Sequence, residues 1–218
     1  MLALLWAAAL AGGAGPVLQV PSDSAAAAIA TRAAEVYRGL SAFQADFQQV
    51  IEDSMLGDLA SSGRLIQAGT GKLSMQFSDP KGDALVMDGQ WLWVYTPSTA
   101  PGQVIKMPLP SGPTFGPNVL AWLLDDPVRR YRISFVGAET VNGTQTDMIA
   151  LAPIDPSLPF VRAVLWVGRD DGLPHRVQVK EKSGARRTLS FTRLRPNAPV
   201  SAATFRFTVP SGVRVVER

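Results

Sequence analysis

The stretch Gly71–Pro97, GKLSMQFSDPKGDALVMDGQWLWVYTP, constrains this chain more than any other. Leu73, Met75 and Phe77 alternate with Lys72, Ser74 and Gln76, the period of a strand with one buried face. Pro80 and Gly82 then supply a turn. A second run, Ala84–Met87, ends at Asp88-Gly89, a pair favoured in two-residue hairpins. The third run, Trp91–Tyr95, is apolar on both faces. Three such strands in succession belong to a core or to a surface that holds something apolar. No catalytic constellation accompanies them, which points towards binding.

The rest of the chain repeats the pattern. Ser22-Asp23-Ser24 offers N-caps for a helix running to Arg38, with Ala28, Ile29, Ala33, Val36, Tyr37 and Leu40 as its apolar stripe. Strands are expected over Phe43–Ile51, Ala60–Ala68, Gln103–Met107, Arg130–Val136, Thr146–Ala152, Arg162–Gly168, His175–Lys180 and Arg186–Leu194, with Phe205–Val209 as a terminal edge. Asn118–Asp125 reads as a short helix, N-capped by Asn118 and stopped before Pro127. Asn142-Gly143 and Asp171-Gly172 read as hairpin turns. Short strands at this spacing argue for one antiparallel sheet or barrel, with no linker dividing it.

At 218 residues and 46% hydrophobic content, the chain can bury a sizeable core. It has no cysteine, so disulfides, thiolate metal sites and thiol chemistry are excluded. The net charge of +3 is diffuse except over Lys180–Arg195, and it argues little for nucleic acid. That segment reads as a solvated sheet face, or more sharply as a membrane or partner contact. Leu2–Leu10 is a short apolar run before small residues, too short to span a bilayer. With Ala9-Leu10-Ala11 and Gly13-Ala14 as cleavage sites, residues 1–14 are expected to be a signal peptide and 15–218 a single domain.

Enzyme readings find little support. His175 is the only histidine and sits beside a turn. Asp125-Asp126 fits a helix stop, Asp170-Asp171-Gly172 is too short for a calcium loop, and Asn142-Gly143-Thr144 fits a hairpin tip better than a glycosylation site. No GxxxxGK[ST] phosphate loop is present.

Several segments together resemble one family. They are Phe43-Gln44-Ala45-Asp46-Phe47-Gln48-Gln49, Gly63-Arg64-Leu65, Asp79-Pro80, Val86–Gly89, Leu92-Trp93-Val94-Tyr95, Pro108, the Leu120–Leu124 helix, and the ending Phe205–Val213. In order and spacing they resemble LolA, the periplasmic carrier of outer-membrane lipoproteins. The resemblance implies an unclosed β-barrel of about eleven strands with helices covering its mouth. It implies a hollow for acyl chains, lined here by Phe43, Phe47, Leu73, Met75, Phe77, Leu85, Met87, Trp93 and Tyr95, under a lid of Leu120, Trp122, Leu123 and Leu124. The deformable thioethers of Met75 and Met87 would suit a variable ligand. Implied partners are acylated lipoproteins, an inner-membrane lipoprotein-releasing ABC transporter and an outer-membrane acceptor. No cofactor, metal or nucleic acid is implied, and the protein is expected to act as a periplasmic monomer. One departure stands out. The family's Arg-Pro pair before the strand at Lys72–Phe77, whose arginine is held to lock the lid, is replaced by Gly69-Thr70-Gly71. The different class of reading is a related structural or sensor module whose hollow is filled by its own side chains. Cavity volume separates the two.

Overall fold

The computed structural model describes residues 23–55, 57–109 and 117–218, so the expected leader, its cleavage sites and Ser22 lie outside the described residues. Helix α1 (Asp23–Arg38) precedes six strands: β1 (Phe43–Glu52), β2 (Leu59–Ala68), β3 (Lys72–Asp79), β4 (Ala84–Asp88), β5 (Trp91–Tyr95) and β6 (Gln103–Pro108). Two short helices follow, α2 (Val119–Leu123) and α3 (Pro127–Arg130). Then come β7 (Tyr131–Val141), β8 (Thr144–Pro153), β9 (Phe160–Gly168), β10 (Pro174–Glu181) and β11 (Arg186–Pro196). A 3-10 turn at Ala202–Phe205 leads to β12 (Arg214–Glu217).

All the strands join one 12-stranded sheet in the order β12-β6-β5-β4-β3-β2-β1-β11-β10-β9-β8-β7. Its ends, β12 and β7, do not pair with each other, so the barrel is unclosed as expected. The extra strand is β12, which runs parallel to β6 beside otherwise antiparallel pairs. The expected edge at Phe205–Val209 is not a strand. Phe205 ends the 3-10 turn and is buried, and Phe207 packs on Trp93 and Tyr95 with ring centroids 5.5 and 5.7 Å apart. Pro210 removes a ladder donor, and pairing resumes only at Arg214.

The concave face is covered by helices. Ala26, Ala30, Ala33, Ala34 and Tyr37 form one buried stripe of α1. Four alanines let the helix approach β7 and β8 closely, and the larger ring of Tyr37 reaches Phe43 at 5.8 Å.

The turns divide by chemistry. Asn142 and Gly143 have φ of 49° and 84° and link the paired Val141 and Thr144 in two residues, as their sequence demands. Asp88-Gly89 does not make a two-residue hairpin, because the last flanking pair is Met87 with Leu92. The Asp88 carboxylate organises a longer turn. One oxygen accepts the backbone N–H groups of Gln90 and Trp91 at 2.9 and 2.8 Å, and the other accepts the Trp93 indole at 2.9 Å. Asp171-Gly172 likewise lies in a longer loop, where Asp171 accepts the Leu173 N–H at 2.9 Å.

Burial works to raise the pKa of Asp88, but the Trp93, Trp91 and Gln90 hydrogen bonds outweigh it and hold the carboxyl below its ordinary value. A depressed native carboxyl adds stability above its unfolded pKa and loses it as pH falls through the folded one. Chemical denaturation should therefore show this contribution intact at pH 7 and fading below about pH 4. Asp88→Ala should cost about 1–3 kcal/mol at pH 7 and lose much of that cost in acid.

Candidate functional site

Cross-strand register decides which side chains share the concave face. On β1 these are Phe43, Ala45 and Phe47, opposite Gln67, Leu65 and Gly63 of β2. Leu65 pairs with Met75, Met75 with Leu85, Leu73 with Met87, and Met87 with Leu92. Phe77 completes the row and meets Phe47 edge-on at 5.2 Å. Phe43, Phe47, Leu73, Met75 and Met87 are buried in one cluster with the α1 alanines, α2, and the inner residues of β7–β11, and Phe77 and Leu85 pack against it half-buried. Gly63 is required here, since a Cβ would lie 2.1 Å from the Gln76 carbonyl oxygen.

Trp93 and Tyr95 do not join this group. They pair with Val86 and Ala84, one residue out of phase with Met87 and Leu85, and so occupy the opposite face. There they stack against Phe207. The run Trp91–Tyr95 is apolar on both faces because the segment after β11 covers its outer side. Lys106 covers its edge, with its ammonium 3.9 Å from the Trp91 ring centroid.

Helix α2 bridges the two wings of the sheet. Val119, Leu120, Ala121, Trp122, Leu123 and Leu124 are all buried. Trp122 lies 5.1 Å from Phe160 on β9 and 6.4 Å from Tyr131 on β7, ring to ring. At its other end the Asn118 side chain does two jobs. Its oxygen accepts the Ala121 N–H at 3.3 Å, capping the helix, and its amide donates to the Thr70 carbonyl at 3.1 Å. The same turn is held from below, where Gln67 donates to the Gly69 carbonyl at 2.8 Å and accepts from the Tyr37 hydroxyl. Burial pushes the Tyr37 phenol far above its ordinary pKa, against the pull of its Gln67 hydrogen bond, so it stays a neutral donor. Gly69 has φ of 59°. The turn that lacks an arginine is thus tied to α2 by a donor on α2 itself. Sequence reading identified Asn118 as a helix cap. Its second contact joins residues 48 positions apart and has no local signature.

Beside this tie is a cleft of about 90 Å³, lined by Ala34, Tyr37, Phe43, Gln67, Thr70, Ala121 and Leu124. It is well below the roughly 300–1,000 Å³ of ligand pockets. Among the described residues, the buried side chains of α1 and α2 pack into one cluster with those of the concave face. On the outer face, Gln44, Asp46, Arg64, Arg193 and Arg195 surround an open polar recess of about 240 Å³. The basic run of β11 is largely matched locally: Arg186 meets Glu52 at 3.5 Å, Arg187 meets Glu181 at 3.6 Å, and Arg193 meets Asp46. His175 is buried and shares a 2.9 Å contact with Asp171, which fastens the β9–β10 loop. Asp126 stands at the N-cap position of α3 ahead of Pro127, in a left-handed conformation and with no side-chain capping hydrogen bond.

An unclosed sheet with an apolar concave face under short helices invites comparison with known carriers. The family model of the outer membrane lipoprotein carrier protein LolA matches residues 38–208. The chain belongs to the LolA family. An outer-membrane lipoprotein carrier protein of Chromobacterium violaceum is 28% identical over 215 residues, covering 98% of this chain and 96% of its own. One of Xanthomonas campestris pv. campestris (strain B100) is 30% identical over 182 residues, covering 82% and 83%. Among solved structures, a conserved protein from Thermus thermophilus matches with a TM-score of 0.57 at 15% identity, over 89% of this chain and 99% of that one. MucB matches at 0.52 and 20% identity, over 85% and 63%. These structures share the fold. The family is one of lipoprotein-binding carriers, not of enzymes. No helix among the described residues is long and apolar enough to cross a membrane.

Breaking the Asn118–Thr70 tie should release α2. Because the buried Thr70-facing amide would vanish while the cap is also lost, Asn118→Ala should shift the balance of α2 towards detachment by about tenfold. Hydrogen exchange at Trp122–Leu124 should rise by that factor while exchange in β8 and β9 stays unchanged.

Proposed function

We propose that this protein is a periplasmic carrier that shields the acyl chains of lipoproteins and moves them from the inner to the outer membrane, acting as a monomer. The observation that carries the reading is the nature of the cover over the concave face. Helix α2 is a wholly apolar segment, Val119–Leu123, laid over a continuous apolar surface and fastened by few polar ties. An acyl chain offers the same surface the same chemistry. Burial is worth about 0.8 kcal/mol per methylene, so one long chain contributes ~10 kcal/mol before costs. That suffices to replace α2 and to hold a lipid away from water.

The acyl chains would lie against Phe43, Phe47, Leu73, Met75, Phe77, Leu85 and Met87, with α2 moving aside as lid. With no nucleotide-binding loop in the sequence, loading would depend on an inner-membrane ABC transporter and unloading on an outer-membrane acceptor with a stronger hold. The small cleft favours a second reading, in which α1 and α2 fill the hollow permanently and the molecule binds a membrane-protein partner.

Native mass spectrometry of protein purified from the periplasm separates these readings. A carrier should bring acylated protein with it, whereas a permanently filled module should be recovered with none. Phe77→Glu is the matching variant. Phe77 is half-buried, so a carboxylate there can reach water and the fold should survive, unlike at the fully buried Leu73. Lipoprotein transfer between purified donor and acceptor should fall more than tenfold, with an unchanged circular dichroism spectrum. Unchanged transfer would remove Phe77 from the lipid path.

A further inference from the structure

The Tyr131 side chain is 2% exposed, and its hydroxyl has no hydrogen-bond partner among the described residues. Such groups are rare in native proteins, because a desolvated hydroxyl without a partner is destabilising. Nothing in the packing needs it. The ring meets Trp122 at 6.4 Å and Phe160 at 6.1 Å, contacts that phenylalanine would make equally well. Burial, moderated by the nearby Arg130 charge and reinforced by that of Asp125, pushes the phenol up to about 12, so it remains a proton donor across the physiological range.

Its position gives the orphan donor a use. Tyr131 is on the concave face beneath Trp122, the aromatic anchor of α2. The neighbouring Arg130 donates to the Trp122 carbonyl at 2.8 Å and to the Asp125 carbonyl at 3.2 Å, and its guanidinium lies 4.9 Å from the Trp122 ring centroid. Displacing α2 therefore uncovers a neutral donor and releases part of a cationic one side by side. An acyl chain is apolar along its length but joins its cargo through an ester or amide carbonyl, an acceptor that must find a donor once it leaves water. Resting on the carrier reading above, we infer that the Tyr131 hydroxyl receives the ester or amide carbonyl of the bound acyl group, with Arg130 as the adjacent donor. The site would thus favour acyl groups over plain hydrocarbon.

Tyr131→Phe tests this with a small change of shape. If the hydroxyl is an orphan in the empty protein and a donor to cargo, the variant should melt at a higher temperature than the parent when empty. It should also bind a fluorescent fatty-acid methyl ester about three- to tenfold more weakly. A matched hydrocarbon probe of the same chain length, which has no acceptor, should bind both proteins equally. Equal affinity of the two proteins for the ester overturns the inference while leaving the carrier reading intact. Equal weakening for ester and hydrocarbon also overturns it, since the loss is then one of packing. If the parent binds neither probe, both this inference and the carrier reading fail.

Discussion

A sheet that does not close must find cover for its concave face, and the rest of this molecule follows from that constraint. Twelve strands curve round an apolar surface that runs from Phe77 on β3 to the inner residues of β7. Full closure would have let the strands bury one another. Here the cover comes from helices, and their composition reflects it. The buried stripe of α1 is alanine until Tyr37, so the helix can sit close to the sheet. Helix α2 has no charged residue at all between Val119 and Leu123. A cover made from separate elements, unlike a closed ladder, can move without breaking strand pairing.

What holds such a cover decides how easily it lifts. The apolar contacts of α2 are many and undirected, so they fix its depth more than its register. Register is set by a few hydrogen bonds. Asn118 reaches the Thr70 carbonyl at one end and Arg130 reaches the Trp122 carbonyl at the other. Gln67 and Tyr37 stiffen the turn that receives Asn118. On the proposed reading, this arrangement would let a carrier without an arginine in the β2–β3 turn fasten its lid. Donor and acceptor have changed sides: the turn supplies backbone carbonyls, and the helix cap supplies the amide. A neutral amide makes a weaker bond than a guanidinium does, so Asn118 ties α2 to this turn more lightly than a charged donor would.

Much of the fold was legible because its signals are local. Period-two alternation locates β1 and β3, the spacing of turn signals locates β7–β11 (though Arg130, expected in a strand, ends α3 and β7 runs on to Val141), and Asn142-Gly143 announces its own turn. The failures share a cause, which is that a residue's face depends on partners far along the chain. The resemblance implies Trp93 and Tyr95 on the cavity wall, while Trp91–Tyr95, apolar throughout, gives no hint of which face is inner. The register with β4 and the distant Phe207 place them outside. Phe205–Val209 alternates like a strand, yet its aromatics serve as plugs on the outer face and the true edge lies beyond Pro210. Asp88-Gly89 reads as a two-residue turn, whereas the Asp88 carboxylate spans the Gln90 and Trp91 N–H groups and the distant Trp93 indole in a longer one. On β3, the shared apolar face of Leu73, Met75 and Phe77 is readable from the sequence. The polar ties at Tyr37, Gln67 and Asn118 are not, since each joins elements separated by tens of residues.

Helices packed on the concave face are compatible with the carrier reading on energetic grounds. An apolar cavity large enough for an acyl chain would be costly to keep empty, at roughly 24 cal/mol for each Å³ left unfilled. Several hundred cubic ångströms would then cost several kcal/mol, a large fraction of the stability of an ordinary domain. A carrier spends part of its cycle without cargo, and a lid that occupies the hollow removes that penalty. The exchange of lid for lipid is between surfaces of like chemistry, so its free energy is a small difference between two large burials. Small polar terms then decide the direction: the Asn118 and Arg130 ties favour the lid, and any donor that only the lipid can satisfy favours the lipid. In such a balance a shift of about 1.4 kcal/mol changes occupancy tenfold. On the proposed reading, a receptor on either membrane would need to perturb only one or two of these ties to load or unload the molecule.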